Sequence, residues 1–374
     1  MAGQMLKPLM DIDQQDLQVE VNSYKPGNGL AWSQLFPLKY TPKFDLKGLE
    51  AEDGIPVSAD RVAFNTRAPK KSRKTIGSWS GQLGKIAVSR EKNELEINEY
   101  NDLRDLSGIH TEDQATARYL VDMVYDDVKF CNDAMDYRVE VDALRIGSAG
   151  KQVLTTKIDG KMATQDEINF NIPAGNFIGA AAKWSDAETA DGLADIARAQ
   201  KLITDKGGKR PMYAILDEVA YEYLCSQEST LKKVASAALN ITGLATSDSV
   251  NIDSINAYQR KFNRPQILVI NSRVTIEQPD GKPDTINPWN VNVCVLSPEP
   301  RLGYTYWKRV PQVQNTEAMQ AYGAYYKVTR YSDVNPMSET TLAEAYVQPA
   351  LSNRGSLVYL NTMNTTWNDG EASA

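Results

Sequence analysis

Three acidic clusters and one basic run are the residues whose types and spacing could do chemistry. Asp126 with Asp127, Asp191 with Asp195, and Asp217 with Glu218 put carboxylates close enough to share acid and base work or to hold a divalent cation. Each pair also falls on a helix surface or in a first helical turn, where the helix dipole favours acids. The sequence therefore reads them as structural and assigns no catalytic residue, no metal ligand and no cofactor. The single histidine, His110 in LSGIHTEDQ, would have to carry any imidazole-based cage, triad or dyad alone, and its place just before a helix start suits a helix-entry residue. Cys131, Cys225 and Cys294 are isolated in apolar surroundings, as buried thiols of a reducing compartment are. No phosphate-binding loop, GxGxxG after a strand, GxSxG or CxxC occurs.

The basic run is FNTRAPKKSRKTIGSWSG, Phe64 to Gly81, which carries Arg67, Lys70, Lys71, Arg73 and Lys74 and ends near Trp79 in a chain of net charge −7. Such a segment cannot bury itself, because each charge would lose its hydration without a partner. Nucleic acid, an acidic membrane and a neighbouring subunit are the partners its charge allows. Alternating stretches from Arg61 to Asn65 and from Lys85 to Arg90 flank it, the pattern of a long two-stranded hairpin. A hairpin of that length is marginal in water unless something packs against it.

The elements around these residues give an α+β chain. The first fifty residues read as an extended arm. Thr111 and Gln114 have capping-box spacing, and Ala117, Leu120, Val121, Val124, Val128, Cys131 and Met135 then form one apolar stripe on a helix of about 25 residues. The opposite face carries Asp122, Asp126, Asp127 and Asp133, an acidic surface able to receive a cationic tongue or the protein's own arm. RVEVDALRIG, GKQVLTTKI and EINFNIP read as short strands. From about residue 184 to 300, helix and strand alternate, with a Gly207-Gly208 stop and a helix opened by Asp217. The tail is again strand-like and is expected to rejoin the earlier sheet. At 374 residues the chain exceeds the roughly 250–300 at which one core stops growing, and its 42% hydrophobic and 24% charged content is ordinary for a soluble protein. No apolar run approaches the ~20 residues that span a bilayer, and the N-terminus lacks signal-peptide character, so an aqueous, intracellular setting without membrane contact is expected.

This order of elements resembles the lambda-type major head protein, the phage capsid protein E family, which has the Hong Kong-type capsid fold of tailed phages and herpesviruses. Residue-level similarity lies in Trp184 to Ile196, in RLGYTY from Arg301 to Tyr306, and from Asn335-Pro336 to Pro349. The resemblance implies an arm over 1–50, an extended loop (E-loop) hairpin over 51–104, and a peripheral domain with a long spine helix over 105–183. An axial domain over 184–304 and a return to the peripheral domain over 305–374 complete it. It implies a structural protein assembling into hexamers and pentamers of an icosahedral shell around double-stranded DNA, made in the host bacterial cytoplasm and residing in the virion. Arg67, Lys70, Lys71, Arg73, Lys74 and Trp79 become intersubunit contacts, with Asp122, Asp126 and Asp127 as acidic partners. A separate scaffolding protein and a portal are implied, with room for a decoration protein and only weak contact with packaged DNA. Lys70, Lys71, Lys74 and Asn353 offer the groups some relatives cross-link, without a matching motif. The other readings are a soluble α/β enzyme and a nucleic-acid-binding protein using the 67–74 segment.

Overall fold

The computed structural model describes residues 6–10, 13–46, 79–109, 114–158, 161–237, 250–278, 281–314 and 316–367. The hairpin strand Arg61 to Asn65, the five basic residues, His110 and the Thr111 cap lie outside them. The chain begins with α1 (Gln14–Ser23), α2 (Trp32–Leu35) and β1 (Leu38–Tyr40), followed by β2 (Gly84–Lys92), α3 (Glu94–Ile109) and α4 (Gln114–Ala149). The hairpin β3 (Lys151–Ile158) and β4 (Lys161–Asn169) leads through β5 (Phe177–Gly179) to α5 (Gly192–Asp205), β6 (Tyr213–Asp217) and α6 (Glu218–Ser226). Next come α7 (Glu228–Ala237), α8 (Ile252–Lys261), β7 (Gln266–Ile270), and the hairpin β8 (Val274–Glu277) and β9 (Pro283–Ile286). The chain closes with β10 (Val293–Ser297), β11 (Gly303–Lys308), β12 (Met319–Tyr322), β13 (Tyr326–Val334), β14 (Met337–Leu351) and β15 (Val358–Asn361).

Two sheets organise the molecule. The six-stranded one runs β1-β11-β14-β13-β12. The long β14 gives one edge to β13 and shares the other between β2, over Glu339 to Val347, and β11, over Tyr346 to Leu351. The five-stranded sheet runs β5-β15-β10-β6-β7, with β6 and β7 parallel. Strand alternation divides the core there. Ala214, Leu216, Cys294, Leu296, Val358 and Leu360 face a cluster with Ile196, Leu224 and Ile255 of the surrounding helices, whereas Ile215, Val293, Val295 and Tyr359 join the larger core around α4.

Local signals in this second unit act as their chemistry demands. Asp191 caps α5, Asp217 caps α6, and Asn251 and Ser254 form a reciprocal capping box on α8. Gly207 ends α5 at φ +74°, a conformation that favours glycine, and Gly208 N–H reaches back to the Ile203 carbonyl at 3.0 Å.

Four expectations are corrected. The long helix does not stop near residue 137 but runs for 36 residues to Ala149, so RVEVDALRIG is helix. Val139, Val141, Ala143, Leu144 and Ile146 are all buried, because this end is enclosed on most sides, and enclosure erases the one-sided pattern a surface helix shows. The arm is not simply extended. It contains α1, and Met10, Leu17, Val21, Trp32 and Phe36 lie in the main core. The segment after Lys92 is a helix, α3, and β2 takes β14 as its described partner. The tail does not return wholly to the first sheet, since β15 lies between β5 and β10 in the second.

Candidate assembly surface

The long helix α4 positions most of the polar groups that matter. Val124, Val128, Cys131, Met135 and Val139 turn inward onto the six-stranded sheet, at the three- and four-residue steps that keep one face in register. On the outer face, Tyr119, Phe130 and Tyr137 are large exposed side chains, with exposed Asp122 and Asp126 between them. Along the flank of the apolar stripe, Asp136 and Glu140 are buried.

The two flanks clasp different parts of the chain. On the β2 side, Arg90 donates to Asp126 at 2.8 Å, lies 3.3 Å from Asp127, and sets its guanidinium 5.0 Å from the centre of the Phe130 ring. The Lys92 ammonium pairs with buried Asp127. On the other flank, Asp136 accepts from Gly27 N–H at 2.6 Å, Tyr325 O–H at 2.6 Å and Tyr24 O–H at 3.1 Å. Tyr24 also donates to Asp133 at 2.8 Å. Glu140 accepts from the Ala31 and Trp32 amides at 3.2 and 2.7 Å. A third clasp closes on the sheet. Glu339, fully buried against Arg330, accepts from the Leu9 and Met10 amides at 2.8 and 2.9 Å, while Arg330 donates to the Val124 carbonyl of α4 at 2.9 Å.

Buried carboxylates thus supply the acceptors that the N-terminal amides need once they leave water. Burial pushes Asp136 up from the usual carboxylate range, more than its three hydrogen bonds pull it down. Burial, followed by the neighbouring carboxylates, pushes the Tyr24 and Tyr325 hydroxyls upward, so both remain protonated donors at neutral pH. Glu344 behaves oppositely: burial pushes it up, but the hydrogen bond and charge of Lys85 together with Lys327 outweigh that and hold it below its ordinary value.

Of the residues singled out from sequence, Asp126 and Asp127 come together at Arg90 and Lys92 of the same chain. Asp122 remains exposed. Asp127 has only 5% of its side-chain surface exposed and is already paired, so it is not an open acceptor for a neighbour; the intramolecular partner is the one it has. Trp79 lies in the main core, 5.0 Å from the Phe170 ring, away from that pair. The basic residues 67–74 fall outside the described residues. The other acidic clusters are structural: Asp195 accepts from Trp184 Nε1 at 3.1 Å and from Arg198 at 2.8 Å, Asp191 pairs with Lys233, and buried Asp217 accepts from Asn287 at 2.7 Å. Sequence reading missed Asp136, Glu140, Arg330 and Glu339. For the first two a signal existed: Asn132, Asp136 and Glu140 repeat at four-residue steps beside the apolar stripe, where a solvated face is not due.

An open groove of about 780 Å³ between β5, α5 and the end of α4 is lined by residues including Lys151, Arg198 and Trp367, and its lining holds no carboxylate, cysteine or histidine. Among the described residues no group of three His, Cys, Asp or Glu could hold a metal ion, and no helix is long and apolar enough to cross a membrane.

No family model matches the sequence, and no curated protein matches it. Among solved structures, it is similar to a candidate capsid protein of a prophage from E. coli CFT073, with a TM-score of 0.56 at 14% identity over 94% of this chain and 99% of that one. A phage-related protein from Bordetella bronchiseptica RB50 gives a TM-score of 0.52 at 14% identity over 95% and 97% of the two chains. At that identity the likeness is one of fold, and the arm, long helix and paired sheets of this chain form the α+β phage capsid fold.

Proposed function

We propose that the protein is a structural major capsid protein, which assembles with copies of itself into the shell of a tailed bacteriophage. The observation that carries this reading is the fold likeness to the candidate prophage capsid protein over 94% of this chain and 99% of that one. On this reading the extended loop lies ahead of β2 and carries the basic residues 67–74, α4 is the spine helix, residues 184–304 form most of the axial domain, and the six-stranded sheet, β2 included, belongs to the peripheral domain. The capsomers are hexamers and pentamers, the particle encloses double-stranded DNA, and assembly takes place in the bacterial cytoplasm with a scaffolding protein and a portal.

The cations Arg67, Lys70, Lys71, Arg73 and Lys74 then lie over an adjacent subunit. Asp127 being internally paired, exposed Asp122 and the outer aromatic residues of α4 are the better candidates for the receiving surface. Contact with packaged DNA is weak and salt-sensitive, because tight binding to each phosphate through counterion release would hinder spooling.

Negative-stain microscopy of the purified protein tests the reading: rings or closed shells are expected, and a field of dispersed monomers at high concentration contradicts it. The tongue has its own test. Lys70→Gln, Lys71→Gln, Arg73→Gln and Lys74→Gln together should leave circular dichroism unchanged and raise the concentration needed for assembly. An unchanged threshold across a range of salt removes the tongue from the contact.

A further inference from the structure

One end of the five-stranded sheet is strongly cationic. Residues 200–212 and 258–266 carry seven Lys or Arg side chains and one acid, Asp205, in a chain of net charge −7. The parallel strands β6 and β7 pair from Tyr213 with Gln266, so the segments entering them lie side by side, and Arg210 joins them by donating to the Asn263 carbonyl at 2.6 Å. Lys201, Lys206, Arg210 and Arg260 are exposed, as is Phe262, over which Arg264 sets its guanidinium at 5.5 Å from the ring centre.

The partners of these cations distinguish this end. Away from this end Arg90, Arg138 and Arg198 are met by carboxylates within 2.8 Å, and at the adjoining exit of β10 Arg301 and Glu299 pair with each other. Here Arg210 takes a carbonyl and the Gln200 amide oxygen, Arg264 the Tyr258 hydroxyl at 3.2 Å, and Lys206 the Gly175 carbonyl and the Asn176 amide oxygen. For these three, neutral acceptors hold the cation in place without cancelling its charge. Complementing the carboxyl end of a helix accounts for Arg260, in the last turn of α8, but not for Arg210 and Arg264, which lie beyond helix ends.

The opposite charge is exposed at α3, where Glu94, Glu96, Glu99, Asp102 and Asp105 face solvent. α3 packs on α4 and is joined to its first residue by the short connection 110–113, whereas the five-stranded sheet meets its far end, where Gly150 faces Phe177 of β5 and Tyr359 of β15. The 36 residues of α4 are about 54 Å long, and the two surfaces lie toward its opposite ends. We propose that the cationic end of one copy docks on the acidic α3 face of a second copy. The inference rests on the shell reading, which supplies many copies of that face. Repeated head to tail from copy to copy, this contact is heterologous, the kind that closes rings or propagates a lattice.

Charge reversal tests this with the full chain. One variant carries Lys201→Glu, Lys206→Glu and Arg260→Glu; another carries Glu94→Lys, Glu99→Lys and Asp102→Lys; a third carries all six. Circular dichroism melts confirm folding, and sedimentation velocity reads the assembly threshold. Each triple variant should raise the threshold about tenfold, several exposed pairs being lost together, and the six-fold variant should restore it. A net-charge effect predicts otherwise, since the α3 variant brings the chain closer to neutrality and would assemble more readily. Three results overturn the proposal: a cationic-end variant that assembles at the parent's threshold, a six-fold variant as weak as the triples, or a loss confined to retention of a nucleic-acid oligonucleotide with assembly intact. A parent that stays monomeric at every concentration removes the shell reading and this one together, whereas an assembling parent indifferent to the reversals removes this one alone.

Discussion

The N-terminal segment and the five-stranded unit are both buried against α4, yet they are held by different physics. The sheet is held by apolar alternation: its two faces divide Leu216 and Leu296 from Ile215 and Val295, and its helices carry their own caps. The N-terminal segment sets separate apolar anchors, Met10, Leu17, Val21, Trp32 and Phe36, into the main core, and between them its amides are met by carboxylates contributed from residues up to 330 positions away. The first design distributes stability over many contacts of modest size. The second adds three buried acceptors, Asp136, Glu140 and Glu339, each holding several groups at once, so that a single substitution there unseats more than one contact.

The largest expected effect follows from those acceptors. Glu339→Ala strands buried Arg330 and the Leu9 and Met10 amides, at a cost of about 3–5 kcal/mol. Leu216→Ala in the five-stranded sheet costs a comparable ~2–5 kcal/mol, so chemical denaturation alone does not separate them. Hydrogen exchange does: Leu9 and Met10 should lose protection in Glu339→Ala and keep it in Leu216→Ala. Equal protection in both variants breaks the contrast.

Asp136→Ala comes next, at about 2–4 kcal/mol, because it leaves the Gly27 amide and the Tyr325 hydroxyl without their acceptor, while Tyr24 keeps Asp133. Urea unfolding reads the cost, and faster exchange at Gly27 locates it. A change below 1 kcal/mol would mean that water replaces the carboxylate and that the clasp is dispensable. Asp126→Asn should cost only ~0–1 kcal/mol, since its pair with Arg90 is exposed.

These expectations also explain what the sequence could and could not disclose. The alternation of the five-stranded unit, the Gly207-Gly208 stop and the Asp217 cap are local signals, each readable within a few residues. The fold resemblance was legible because the order of elements survives where residue identity does not. The anchoring of the arm was not legible. Leu17 and Val21 make one turn of apolar spacing in a polar stretch, and the acceptors that hold the segment lie on α4 and β14. β2 misled for the same reason: its alternation pointed to a strand, but its partner β14 lies some 250 residues on. Trp79 stands beside a basic run, yet Phe170, far along the chain, draws it inward.

The pH dependence is the smallest effect and the finest distinction. Asp136 has its folded pKa raised, so its contribution to stability is fully present below the unfolded value and is lost as pH rises through the folded one. Glu344 has its folded pKa lowered, so its contribution is present above the unfolded value and is lost as pH falls through the folded one. Thermal melts from acid to neutral pH should therefore change slope in opposite senses in Asp136→Asn and Glu344→Gln relative to the parent. Parallel slopes would mean that the two carboxylates sit in equivalent surroundings.

Whether the fold serves assembly is read from sedimentation velocity of the purified chain over a wide concentration range. A slow boundary at low concentration should give way, above a threshold, to a fast boundary of ring or shell size, with the threshold rising as salt is added. A single boundary at the 41.5 kDa of one chain, at every concentration and salt, would contradict it.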